Sequence, residues 1–121
     1  MKIDRTTRLF LERDEAIRND RILAALIESG DSPSVPRDVD HFACFKSRLA
    51  RARFKWWAIF KRFAVASERT ERENQRPHAI TLVRAHAVDP PTINPITTML
   101  ALKAKSLGGD YDGWGCEVTK E

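Results

Sequence analysis

From about Arg13 to Glu28 the apolar positions Ala16, Leu23, Leu26 and Ile27 recur at helical spacing. Asp14 and Glu15 come early, where the helix dipole favours anions, and Gly30 is a C-terminal stop. Leu9-Phe10-Leu11 reads equally as an extension of this helix or as an irregular arm. Asp31-Ser32-Pro33-Ser34-Val35-Pro36 is a loop, because its prolines forbid continued helix. Val39 to Phe45 is dense in apolar and aromatic residues and too short for an independent helix, so it predicts a central strand.

Ser47 caps a helix running to about Phe63. Leu49, Ala52, Trp56, Phe60 and Phe63 form its apolar stripe, expected to face the core. Arg48, Arg51, Lys55 and Arg62 fall on another side, and Phe54 and Trp57 widen the apolar surface. Val65 to Arg72 alternates, Asn74-Gln75-Arg76-Pro77 turns, and His78 to Val88 is rich in β-branched residues, which together predict a hairpin. Asn94 then reads as an N-cap with Pro95 at the first helical position. That helix turns Ile96, Leu100, Ala104 and Leu107 inward and stops at Gly108-Gly109. Tyr111 to Val118 is the last strand.

After the leading helix the order is strand, helix, strand, strand, helix, strand. This predicts an α+β, ferredoxin-like split βαβ sandwich (βαββαβ) with a four-stranded antiparallel sheet and an additional N-terminal helix. Residues 1–36 are expected to form an arm, helix and loop packed on a ferredoxin-like domain of residues 37–121, one domain overall.

Charge changes the picture locally. The net charge of the 121-residue chain is only +4, yet Lys46 to Ala66 holds seven basic residues and no acid. A helix carrying Arg48, Arg51 and Lys55 along one stripe suits phosphate contacts, with aromatic rings nearby for stacking. Adjacent Trp56 and Trp57 diverge by about 100° on a helix, so one ring is expected outside the core stripe, and Trp57 is taken as a partner contact. No apolar run is long enough to span a bilayer, and Met1 to Thr6 lacks the apolar block of a signal peptide, so a cytoplasmic location is expected.

The catalytic inventory is short. His41, His78 and His86 lack the close spacing of a helical metal pair and read as neutral surface or strand-end residues. Adjacent first and third strands would still allow His41 and His86 to meet on one sheet face. Cys44 and Cys116 show no CxxC spacing and read as two reduced, buried thiols that neighbouring strands could bring close. No phosphate-binding loop, dinucleotide fingerprint or HExxH occurs, so neither enzymatic activity nor a metal or cofactor is expected.

The end of the chain resists a generic strand reading. Asp110-Tyr111-Asp112-Gly113-Trp114-Gly115 sets the largest side chain between two glycines, specifying backbone geometry and one anchoring ring together. Trp114 is expected in the core, with Gly113 and Gly115 structural, while Tyr111 and Asp112 at the strand end are taken as partner contacts.

This tail resembles the terminal motif of the regulator of ribonuclease activity B family. Leu26-Ile27-Glu28-Ser29-Gly30-Asp31-Ser32-Pro33 and Pro36-Arg37-Asp38-Val39-Asp40-His41-Phe42 resemble that family's helix end, loop and first strand, so the likeness covers roughly residues 14 to 119. It implies a ferredoxin-like fold without catalysis and a regulator that binds ribonuclease E at its noncatalytic scaffold region. The charge departs from the family: members tied to ribonuclease E are acidic with an acidic tail, whereas this middle helix is basic and the sequence ends Thr119-Lys120-Glu121. Contact through an acidic surface should therefore be weak here. Three further readings stay open: an immunity or antitoxin-like binder, an RNA-binding domain using residues 47–63, and a homo-oligomer covering its open sheet face.

Overall fold

Alternation along residues 37–45 sets the sheet. Val39, His41, Ala43 and Phe45 are buried while Asp38, Asp40 and Phe42 are exposed, the period of a strand with one covered face. In the computed structural model, which describes residues 3–121, this strand is β1 (Arg37–Phe45). Met1 and Lys2 of the N-terminal segment read above lie outside the described residues. Helix α1 (Arg5–Glu28) precedes it, and α2 (Arg48–Phe60), β2 (Ala64–Thr70), β3 (His78–His86), α3 (Pro90–Ser106) and β4 (Asp110–Gly115) follow. The four strands pair antiparallel in the order β2-β3-β1-β4. This is the ferredoxin-like α+β layout with an additional N-terminal helix.

Helices α2 and α3 cover one sheet face over a cluster that includes Phe45, Phe54, Ile80, Leu82 and Leu100. A second cluster, Leu23, Val39, Val88, Ile93 and Trp114, forms where α1 lies against α3 and β4. Arg37 ties the loop and the tail together. Its guanidinium donates to the Asp31 carboxylate, to the Ser32 carbonyl at 2.7 Å and to the Val35 carbonyl at 2.9 Å. Asp31 Oδ1 also accepts from the Thr119 amide at 2.7 Å, and the Ser32 amide donates to the Thr119 carbonyl at 2.8 Å. These bonds hold residues 116–121 against the loop after β4 has ended at Gly115 rather than Val118.

Several boundaries and faces differ from the sequence reading, each for a local reason. Helix α1 starts at Arg5, not Arg13, because Asp4 Oδ1 accepts the Thr7 amide at 2.7 Å, and Leu9-Phe10-Leu11 lie within it. Helix α3 starts at Pro90, where two prolines need no amide partners; the Asp89 carbonyl accepts from Thr92 and Ile93, and Pro95 sits inside the helix. Strand β3 ends at His86, not Val88. Cys44 and Cys116 lie at opposite ends of the β1–β4 ladder, since Cys44 pairs with Asp110 and Asp40 with Gly115.

The largest correction concerns α2. Leu49, Trp56 and Phe60 of the expected core stripe are exposed, and the helix buries Phe54 and Ala58 instead. Two small residues, Ala50 and Ala58, let this face approach the sheet closely. Phe63 is buried only because the chain leaves the helix before it.

All three helices end in the same turn. The Asp31 amide bonds to Leu26, Phe63 to Ala58 and Gly109 to Ala104, each reaching back over a left-handed residue. That residue is Gly30 at φ +92° and Gly108 at φ +73° in two cases, and Arg62 at φ +75° in the third. An L-residue pays about 1 kcal/mol for this conformation. Arg62→Gly should therefore stabilise the protein by roughly 0.5–1 kcal/mol, read as a higher midpoint in urea unfolding with an unchanged slope.

Candidate functional site

Tyr111 and Trp114 are three residues apart, so a regular strand would point them to opposite faces. Both are buried on the core side. The β1–β4 register shifts between Phe42 and Ala43, Phe42 pairing with Gly113 and Ala43 with Tyr111, which leaves Asp112 as an extra residue. Gly113 absorbs the kink at φ +121°, a conformation that L side chains rarely adopt. The bulge thus aims two aromatic residues inward and leaves Asp112 exposed. Trp114 Nε1 donates to Asn19 Oδ1 on α1 at 2.8 Å, and Asn19 Nδ2 donates to Asn94 Oδ1 at 2.8 Å and Thr97 Oγ1 at 2.9 Å on α3. One buried carboxamide joins three elements.

Tyr111 begins a second polar chain. His86 Nδ1 lies 2.6 Å from the Ala87 carbonyl and must donate to it, so its Nε2 is an acceptor. His41 Nε2, 3.0 Å away, therefore donates to His86, and His41 Nδ1 accepts the Tyr111 hydroxyl at 2.8 Å. One set of tautomers satisfies every bond, with both rings neutral. Burial, then His86 and Arg84, push His41 down to about 3. Burial, with Arg84 and Arg37 adding, also lowers His86 against its bond to Ala87. Burial, then Glu15, push the Tyr111 phenol up, so it stays a donor. The surface reading of His41 and His86 is thus overturned, although His86 does close β3: strand pairing aligns His41 with Leu82 and Arg37 with His86, both rings turn into the core, and the two meet on one sheet face.

The other residues named from the sequence are placed apart. Arg51 and Lys55 pair with Glu68 of β2, at 3.5 Å and 3.3 Å, and Arg51 also donates to the Arg69 carbonyl at 2.9 Å. Arg48 alone of the three is exposed. Trp57 packs on the core beside Phe54, with Lys103 Nζ 5.8 Å from its ring centroid. Trp56, which the sequence reading placed inside, is the exposed ring of the pair. Asp112 lines a cavity of about 300 Å³ on the open sheet face with Phe42, Cys44, Arg69, Arg76 and Thr81. Burial, then Asp112, raise the Cys44 thiol to about 11, the reverse of an activated nucleophile.

Asn19 gave no signal as a functional position, since a mid-helix polar residue usually faces water. Its only trace in sequence is the i, i+4, i+8 row Glu15, Asn19, Leu23, all three of which are buried.

Compared with known proteins, residues 16–116 match the family model described as Regulator of ribonuclease activity B. A search of the curated proteins finds no match.

Two outcomes follow from the buried bonds. Trp114→Phe keeps the ring but leaves Asn19 Oδ1 without its donor, and should destabilise the fold by about 1–3 kcal/mol. Amide exchange in α1 should rise more than in β1 or β3, which checks that the clamp acts on α1. The histidines set a pH dependence. Both have folded values below the unfolded 6.5, so the unfolded chain binds more protons; their stabilisation is complete above about pH 6.5 and is lost as pH falls. Unfolding free energy should drop between pH 7 and 5 by up to about 1.4 kcal/mol per pH unit per histidine, and the slope should be shallower in His86→Gln.

Proposed function

Because the chain belongs to the regulator of ribonuclease activity B family, we propose that it is a non-catalytic regulator that alters RNA processing through contact with a protein, ribonuclease E or a member of its assembly. Such a regulator acts in the cytoplasm, where that assembly works. Among the described residues no helix is long and apolar enough to cross a membrane.

The observation that carries this reading is the outward face of α2. Leu49, Trp56, Ile59 and Phe60 are exposed together on one helix, a group of large apolar side chains that a protein working alone in water has no use for. The polar groups with the chemistry of catalysis point the other way. His41 and His86 are held neutral within a closed hydrogen-bond chain, and Cys44 is held as a thiol. An RNA-binding use of the same helix has less support, since Arg51 and Lys55 are occupied by Glu68.

Adding purified protein to ribonuclease E and a fluorogenic RNA should change the cleavage rate by threefold or more, a change of about 0.7 kcal/mol in the apparent barrier, saturating with concentration. The protein should also remain bound to the ribonuclease after RNA is digested away. Unchanged cleavage together with no nuclease-resistant complex would refute the reading.

A further inference from the structure

A helix on a two-layer sandwich needs one apolar stripe, and α2 has two. The inward one, Ala50, Phe54, Trp57 and Ala58, meets the core. The outward one joins neither apolar cluster of this chain, although Lys55 Nζ of the same helix lies 5.6 Å from the Trp56 ring centroid: Leu49 is 61% exposed, Trp56 65%, Ile59 41% and Phe60 81%. At 3.6 residues per turn these side chains fall on one strip, roughly 16 Å long from Leu49 to Phe60. Lys46, Arg48, Arg53, Lys61 and Arg62 surround it, all exposed, and none enters an ion pair among the described residues. Glu68 contacts the helix from β2, where Arg51 and Lys55 neutralise it. The face is apolar along its middle and cationic around its rim.

We propose that this face receives an acidic amphipathic helix of a protein partner, which names the class of partner in the regulatory reading above and rests on it for the partner's identity. The spacing Leu49–Trp56–Phe60, seven residues and then four, is that of a seam between two packed helices. Trp56 and Phe60 are the anchors, since large aromatic groups carry most of the binding energy at such seams. Five cations without counter-charges require carboxylates flanking the partner's apolar stripe. An RNA strand fits less well: Leu49 and Ile59 offer no stacking surface, and the cations that would extend a phosphate track are engaged by Glu68. A second copy of α2 would bring the same positive charge to the seam.

The test uses the full chain and a labelled peptide of about 18 residues, with a leucine seam flanked by glutamates. A lysine-flanked version and a polyuridine RNA of similar length serve as rivals, all read by fluorescence anisotropy. The acidic peptide should bind at least about tenfold more tightly than the basic one and weaken as salt rises. Trp56→Ser with Phe60→Ser should weaken it about tenfold or more while circular dichroism stays unchanged, because both side chains lie outside the core. Arg48→Glu with Arg53→Glu should transfer the preference to the lysine-flanked peptide. No binding of the acidic peptide, equal binding of both peptides, tighter binding of the RNA, or self-association that the Trp56/Phe60 variant abolishes would each overturn the proposal. A Trp56/Phe60 variant that still alters ribonuclease cleavage overturns it and leaves the regulatory reading standing. Peptide results as expected, beside unchanged ribonuclease cleavage and no nuclease-resistant complex, support the docking face and remove the regulatory reading.

Discussion

The Asn19 carboxamide, buried between α1, α3 and β4, is the constraint on which the arrangement of this molecule depends. Helix α1 buries only Glu15, Asn19 and Leu23 fully, with Ile22 and Leu26 partly buried beside them, and this non-directional packing does not by itself fix the helix's slide or rotation. Directional bonds do that instead. Asn19 uses both amide hydrogens on α3 and its oxygen on Trp114, and any slide or rotation of α1 would leave buried polar groups without partners, at about 1–3 kcal/mol each. The bulge at Asp112 and Gly113 belongs to the same device. Without the extra residue, Trp114 would point to the open face while Tyr111 pointed inward, and the indole could not reach α1. The glycine flanking Trp114 therefore serves a hydrogen bond on another element.

The histidine pair obeys a related rule. Two imidazoles with nitrogens 3.0 Å apart are stable in a core only if at most one proton lies between them. The carbonyl of Ala87 at one end and the Tyr111 hydroxyl at the other leave a single arrangement of protons that wastes no donor. Tyr111 thus couples the β4 bulge to β1 and β3, while Trp114 couples it to the helices. The two aromatic residues of the terminal motif pin the sheet and the helical layer to the same short strand.

Element order, strand pairing and the anomaly of the tail were legible in the sequence, because the apolar density of β1, the β-branched run of β3 and the Gly-Trp-Gly pattern follow from local chemistry. The face of α2 was not. Its regular stripe, Leu49 to Phe60, carries more apolar bulk than the inward set, and periodicity reports that a stripe exists without saying which stripe meets the sheet. Small residues decided it: Ala50 and Ala58 permit close approach, and Phe54 fills the space between them. His41 and His86 were read as surface or strand-end residues, with their meeting left open, because the register that joins them across 45 residues is not written in the local pattern. The start of α3 was misplaced since two Asx–proline pairs, Asp89-Pro90 and Asn94-Pro95, carry the same capping signal. The structure uses the first as the cap and sends Asn94 to Asn19.

Both inversions, histidines inside and a Trp outside, point to the same division of labour. Asn19 with its partners and the His41–His86–Tyr111 chain are closed on one another and offer nothing to a ligand, whereas the apolar groups placed outside are the ones left open. An exposed strip of this kind invites indiscriminate association. The cations around it oppose self-association by repulsion between copies and leave acidic partners as the favoured occupants. Pairing Arg51 and Lys55 with Glu68 sharpens that selection, because it offsets part of the positive charge on the β2 flank of the helix and leaves the unpaired cations around the rim of the strip. Specificity at this surface is thus written in which of the helix's cations have been given partners within the chain and which have not.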